Sequence, residues 1–380
     1  MSLLTRLAPA LLLLSWLSGS TRVHGAPPDA SVRPSLRFTN RVATLSFDLA
    51  GGALGDFHLL AAPMNPFSWG APGPGDARIH GFGHFLCLDR WGPASDAEAA
   101  NGMPYHGEAS NVPWNPDLPV TPTTGGGSQG CMSARLPMAG LRVERSIELS
   151  ASEAVVRVRE TVFNENKLGR VYNCVQHPTI APPFLGPDTV VDCNGTRGFA
   201  QGGKLPMPEE PSFSWPTAWM PDGTSSDLRR LAGNPNPNVV SFIVEGTHGW
   251  ITALSPSNRL LVGYLWLSRD YPWVSLWRDV HQGSPAARGL EFGTTGLHQP
   301  FATLLKKGPI FGRPVVQHLD AGESVTRSYL LFILPVPAGF SGVGNVSLES
   351  GRLVIEELAG KNPRRLSLNA GLDLPSAAGP

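Results

Sequence analysis

Arg170-Val171-Tyr172-Asn173-Cys174-Val175-Gln176-His177-Pro178-Thr179-Ile180-Ala181-Pro182-Pro183-Phe184 is the stretch on which the reading of the fold turns. It follows residues 154–162, where apolar and polar side chains alternate as in a half-buried strand. Asn164-Glu165-Asn166 supplies a turn, and residues 171–175 form a second run that leads into His177. Pro178, Pro182 and Pro183 are expected to stop regular structure just beyond it. The pattern describes an antiparallel pair that delivers a histidine to a strand end. A single histidine in such a place is more often structural than catalytic, so its weight depends on its companions.

The same alternation extends outward. Residues 36–40 and 42–49 open the chain with strands, and 131–136, 141–149 and 154–162 read as successive antiparallel strands. Residues 61–76 and 121–130 are rich in Gly, Pro, Thr and Ser and read as loops. Strands follow at 260–266, 273–279 and 328–334, and residues 346–357 form a hairpin around Ser350-Gly351. With 43 Gly, 37 Pro and only 16% charged residues, the composition disfavours long helices and favours many short strands. The fold expected is all-β: one large antiparallel sandwich over residues 30–360, with residues 361–380 as a disordered tail.

Residues 1–25 read as a secretory signal. Arg6 precedes a short apolar core at residues 8–17, and Val23-His24-Gly25 places small residues before a cleavage point. That core is too short to span a bilayer, and no later run reaches the roughly 18 apolar residues a membrane helix needs. A secreted or periplasmic location is expected, with no stable membrane insertion once the signal is removed. Lys+Arg and Asp+Glu are both 30, and no basic cluster exists, so nucleic acid is not an expected partner. Export would permit disulfides among Cys87, Cys131, Cys174 and Cys193, with three pairings open. None of the four has metal-ligand spacing, so no metal is expected.

Two segments crowd polar and aromatic side chains. His80-Gly81-Phe82-Gly83-His84-Phe85-Leu86-Cys87-Leu88-Asp89-Arg90-Trp91 suits either a sugar site or a core strand with a buried Arg-Asp pair. Arg90 and, further on, Trp273 are the sugar-contacting candidates, because rings stack on C–H faces while planar polar groups bind hydroxyls. Met103-Pro104-Tyr105-His106-Gly107-Glu108-Ala109-Ser110-Asn111-Val112-Pro113-Trp114 places His106 in a loop or at a strand end.

The segment Met103 to Trp114 resembles the His-Gly motif of the galactose mutarotase (aldose 1-epimerase) superfamily, in the branch with Pro-x-His-Gly followed by Trp. His177 after its strand, with Phe184 beyond, is similar to the family's second histidine motif. Arg288-Gly289-Leu290-Glu291-Phe292-Gly293 carries a lone carboxylate where the family has its catalytic glutamate. Leu319-Asp320-Ala321-Gly322-Glu323 resembles the turn before the family's closing strand. These elements fall in the family's order over roughly residues 35–335. The resemblance implies a β-supersandwich, with Glu291 as base on the anomeric hydroxyl, His177 as acid to the ring oxygen, His106 beside them, and no cofactor. Three departures stand out. Gln176 and Pro178-Thr179 replace an Asn and aromatics around the histidine. Glu108 and Ser110 stand where one branch carries a basic residue, which removes a phosphate contact. No residue matches the family's substrate-binding Asp; Asp222, Asp227 and Asp279 are candidates.

The expected function is an exported, aldose 1-epimerase-like isomerase acting on a sugar or glycan. The alternative is a non-catalytic carbohydrate-binding or polysaccharide-processing accessory protein on the same fold. A glycoside hydrolase or lyase would need a second carboxylate, for which Asp89 and Glu108 are the candidates. The particular sugar and the oligomeric state are open from sequence.

Overall fold

A computed structural model describes residues 33–202, 212–220, 222–231, 237–358, 360 and 362–374. The expected signal at residues 1–25 lies outside these. Among the described residues the strands form antiparallel sheets of fourteen, eight and three strands.

The eight-stranded sheet shows how local pattern becomes layer. Leu141–Leu149 buries Leu141, Val143, Arg145, Ile147 and Leu149 and turns the intervening residues outward, the period-two signature of a sheet with one wet face. The central Leu260–Leu267 strand is buried at every position. Leu260, Val262, Tyr264 and Trp266 pack into the core shared with the fourteen-stranded sheet. Leu261, Leu265 and Leu267 pack into a second core. That second core is covered by the three-stranded sheet of Val343–Glu349, Arg352–Glu357 and Arg365–Asn369. A strand covered on both faces reads as a continuous apolar run rather than an alternating one.

Three expectations are corrected here. Residues 361–380 are not wholly a disordered tail. Arg365–Asn369 pairs with Arg352–Glu357, and Leu372 and Leu374 are buried against the sandwich; residues 375–380 lie outside the described set. The expected loop at 121–130 is narrower, residues 123–127, because Asn115–Pro122 and Ser128–Leu136 pair as a hairpin on either side of it. Pro178 does not end the His177 strand, which runs Arg170–Ile180. The proline carbonyl accepts the Leu290 N–H at 2.7 Å, and Thr179 N–H reaches Gly83 O at 2.9 Å, so the strand stays bonded around the missing donor.

The fourteen-stranded sheet positions the site. Arg170–Ile180 lies between His84–Asp89 and the strands Ser284–Gly289 and Glu291–Gly293, which in turn pair with Trp273–His281. The Phe85↔His177 and Ser275↔Glu291 registers bring four chain segments to one outer face. The opposite face of the same strands carries Leu86, Tyr172, Cys174 and Phe292 into the core. Phe292 stacks flat on Trp266 at 4.2 Å, which fixes the face on which its neighbour Glu291 must emerge. The four cysteines are free thiols, with Cys87, Cys174 and Cys193 buried. Among the described residues no helix is long and apolar enough to cross a membrane.

Candidate active site

A cavity of about 550 Å³ opens on that outer face, lined by Trp69, Phe85, Trp91, Tyr105, His106, His177, Asn238, Val239, Trp277, Glu291 and His298. Its size lies within the usual span of small-molecule sites, about 300–1,000 Å³. The three residues read from sequence as a catalytic set, His106, His177 and Glu291, meet in it although up to 185 positions separate them in the chain.

His177 and Glu291 form its centre. His177 Nε2 lies 3.4 Å from Glu291 Oε1, and His177 Nδ1 faces Thr179 Oγ1 at 3.0 Å. The other carboxyl oxygen, Glu291 Oε2, accepts the Trp91 indole N–H at 2.6 Å. Both residues are almost fully buried. Burial penalises whichever form is charged, so it pushes the Glu291 carboxyl up to about 8, against the pull of the Trp91 hydrogen bond. The same desolvation pushes His177 down to about 3. Burial therefore favours the pair with a single proton near neutral pH, carried by the carboxyl.

His106 arrives from a loop. Its backbone is left-handed, φ 67°, and its Nδ1 accepts the Gly92 N–H at 3.0 Å. The neutral ring must then carry its proton on Nε2. Desolvation holds it well below the usual histidine range. Gly107 follows at φ 79° and bridges to Leu88. A methyl there would overlap the Leu88 carbonyl oxygen. Gly107→Ala is expected to cost at least about 1–3 kcal/mol and to pull His106 out of register, seen as a lower Tm with weakened ligand quenching of tryptophan fluorescence. An unchanged Tm would mean the loop is not pinned as described.

Glu108 accepts the Met138 and Ala139 backbone N–H groups at 3.1 and 2.7 Å, and Asp89 is bound by Arg90 and Arg170. Both carboxylates hold loops in place and neither lines the cavity, so a two-carboxylate glycosidase site is not assembled. The sugar-contacting candidates are also corrected. Arg90 is buried outside the cavity between Asp89 and Glu98, each at 2.9 Å, and secures the short Asp96–Ala100 helix. Trp273 is fully enclosed with Phe199, Leu304 and Ile310, its indole N–H donating to Pro314 O at 2.8 Å. Asp222, Asp227 and Asp279 do not line the cavity either.

Sequence reading missed His298, Tyr105, Trp91 and Trp277. Trp273 and Trp277 share a strand face by period two; a later segment, residues 297–315, covers the first and leaves the second open. Tyr105 OH meets His298 Nε2 at 3.0 Å across the cavity mouth. Desolvation pushes His298 down to about 4.

The architecture is that of the galactose mutarotase-like proteins. No protein-family model and no curated protein matches the chain by sequence; the likeness is in three dimensions. It is similar to a galactose mutarotase-like protein of Clostridium acetobutylicum, with TM-score 0.61, 15% identity, and coverage of 81% of this chain and 97% of that one. A galactose mutarotase related enzyme of Lactobacillus acidophilus gives TM-score 0.53 at 12% identity, covering 80% and 98%. A galactose mutarotase-like protein of Lactobacillus casei gives 0.52 at 14%, covering 79% and 100%. At these identities the likeness establishes the fold.

Proposed function

We propose that the protein is an exported aldose 1-epimerase-like enzyme that interconverts sugar anomers by opening and reclosing the hemiacetal ring. One observation carries the reading: His177 Nε2 and Glu291 Oε1 stand 3.4 Å apart at the buried base of a cavity lined by aromatic rings, with His106 beside them. Mutarotation needs one group to take the anomeric proton and one to protonate the ring oxygen, with no net proton change. The pair's single proton suits this. Moved from Oε1 to Nε2 it leaves a carboxylate base and an imidazolium acid at the same total charge. The imidazolium's second N–H is met by Thr179 Oγ1, and the carboxylate keeps the Trp91 N–H. An anomeric hydroxyl donating to Oε1 favours that arrangement. His106 would donate from Nε2 to the ring oxygen or an adjoining hydroxyl.

The singly protonated pair predominates between the two titrations, so kcat/KM should be level through neutral pH and fall above about 8 as Glu291 loses the proton the acid needs. A rate that keeps climbing past that pH would mean that Glu291 works as a base without His177. Trp91→Phe removes a donor that favours the ionised carboxyl. Its alkaline limb should move up by about 1–2 pH units; a limb that stays put or moves down would show that the indole does not tune Glu291.

The test of the reading is accelerated mutarotation of freshly dissolved α-aldoses. Absence of acceleration on every aldose, with sugar-dependent tryptophan quenching retained, would replace it with a sugar-binding protein on this fold. Export is tested by fractionating cells that express the whole chain: mature protein lacking about the first 25 residues in the extracytoplasmic fraction is the expected result.

A further inference from the structure

Histidines form a row along one wall of the cavity. The His177 and His106 rings are 5.3 Å apart, and the His106 and His298 rings 5.4 Å. Tyr105 stands at the outer end of that row. Its ring packs edge-on against His106 at 4.3 Å and His298 at 5.4 Å, and its OH meets His298 Nε2 at 3.0 Å. Tyr105 is 55% exposed, whereas His177 and Glu291 are almost fully buried. The row therefore runs from the reacting pair out to solvent.

The proton exchange needs neither Tyr105 nor His298, yet separate contacts fix the His298 ring at the wall. Gln201 grips its loop from both sides: Oε1 accepts the His298 N–H at 3.0 Å and Nε2 donates to Gly296 O at 2.6 Å. The same amide nitrogen donates to Ser241 Oγ at 2.7 Å, and Ser241 Oγ lies 2.8 Å from Ser275 Oγ. Ser275 is the register partner of Glu291, so the clamp ties His298 to the strand beside the catalytic carboxyl. Gly92, at φ 97°, makes room for the ring, since a Cβ there would lie 2.8 Å from His298 Cδ2.

Resting on the mutarotase reading, we infer that Tyr105 and His298 bind a sugar hydroxyl away from the anomeric centre, and that Gln201 is the residue that positions them. The chemistry fixes one end of the ligand, with the anomeric carbon and ring oxygen at the His177–Glu291 pair. The other ring carbons of an aldose carry hydroxyls, and each one shielded from water needs a partner on the wall. The phenol oxygen supplies one in either tautomer of His298. When Tyr105 O–H donates to Nε2, the oxygen keeps lone pairs to accept from the sugar. When Nε2–H donates to the phenol oxygen, the phenol O–H turns to donate to the sugar. Desolvation keeps the His298 ring neutral through neutral pH, which preserves both arrangements.

The experiment uses the intact protein with D-glucose, D-galactose and their analogues singly deoxygenated at C2, C3, C4 or C6. Tryptophan-quenching affinities and mutarotation rates are both read. Tyr105→Phe should weaken binding of the parent sugars about three- to tenfold, acting through KM more than kcat. One deoxy position should be indifferent to that substitution, because its sugar lacks the hydroxyl the phenol would bind. Gln201→Ala should weaken the parents in the same direction, but add nothing in the Tyr105→Phe background. A merely structural role would instead weaken every sugar alike in both backgrounds, and that pattern overturns the inference. Parent affinities unchanged by Tyr105→Phe overturn it too, and wild-type turnover then leaves the mutarotase reading intact. A collapse of kcat in Tyr105→Phe with affinity kept would move the tyrosine into the proton transfer and also overturn it. Wild-type protein that binds with the expected pattern but turns over no sugar keeps the binding role and removes the mutarotase reading. Absence of binding to every one of these sugars overturns both.

Discussion

Glu291→Gln is expected to lower mutarotation by about 10²–10⁴-fold with little change in sugar affinity. The amide is nearly the same size and can still accept the Trp91 N–H on its carbonyl oxygen, but it neither gives up nor takes the proton that the pair exchanges with the sugar. Stability supplies a second readout. The carboxyl's ordinary value is 4.5 and burial raises it to about 8 in the folded protein. Between those values the folded state binds more protons than the unfolded one, so this group's contribution is full at low pH and is lost as pH rises through about 8. The variant has no such titration. Its melting temperature should therefore gain on the wild type between pH 5 and pH 9, by the equivalent of a few kcal/mol, on the order set by 1.36 kcal/mol per pH unit. Wild-type turnover in the variant would remove Glu291 from the chemistry. A pH-independent difference in Tm would show that the carboxyl is ionised in the free protein.

Glu160→Ala is expected to cost about 3–5 kcal/mol of stability, read as a lower denaturant midpoint. Glu160 lies beneath the site on the core side, nearly inaccessible, as does Arg145. Its Oε1 is 2.7 Å from Arg145 Nη2 and its Oε2 accepts the Gln176 amide at 2.6 Å. Removing the carboxylate strands a guanidinium whose remaining contacts, among them the Gly52 carbonyl and the faces of Trp114 and Phe47, carry no negative charge. It also frees Gln176, next to His177, to which His84 and Tyr271 are bonded. A loss of activity beyond the loss of folded protein should follow. Replacing both partners, Glu160→Met with Arg145→Met, should restore much of the stability, because an apolar pair of similar volume lacks the desolvation cost. A midpoint shift worth less than about 1 kcal/mol in the single variant would show that water reaches Arg145.

The reading of Leu141–Leu149 and Val155–Asn164 as strands needed nothing beyond alternation, because one face of each is core and the other is wet. Leu260–Leu267 and residues 328–334 of Ser324–Pro335 were legible by their apolar runs, though not which second layer covered them. Arg365–Asn369 was missed because its pattern is short, with burial that arises only once Arg352–Glu357 is in place to pair with it.

In the site, His106, His177 and Glu291 stand out because their motifs, in order along the chain, resemble those of the galactose mutarotase superfamily; on local pattern alone each reads as structural. Arg90 and Trp273 were equally conspicuous, yet each is taken by its own neighbours: Asp89 and Glu98 for one, Leu304 and Ile310 for the other. Trp91, next to Arg90, and Trp277, two pleat repeats beyond Trp273, line the cavity instead. The chain by itself determined an all-β sandwich and the residue types able to exchange a proton, since strand periodicity and side-chain chemistry are local properties. Which aromatic rings face the cavity, and the burial that leaves one proton on Glu291 and His177, were decided by tertiary structure, because facing and desolvation depend on what other segments cover each strand.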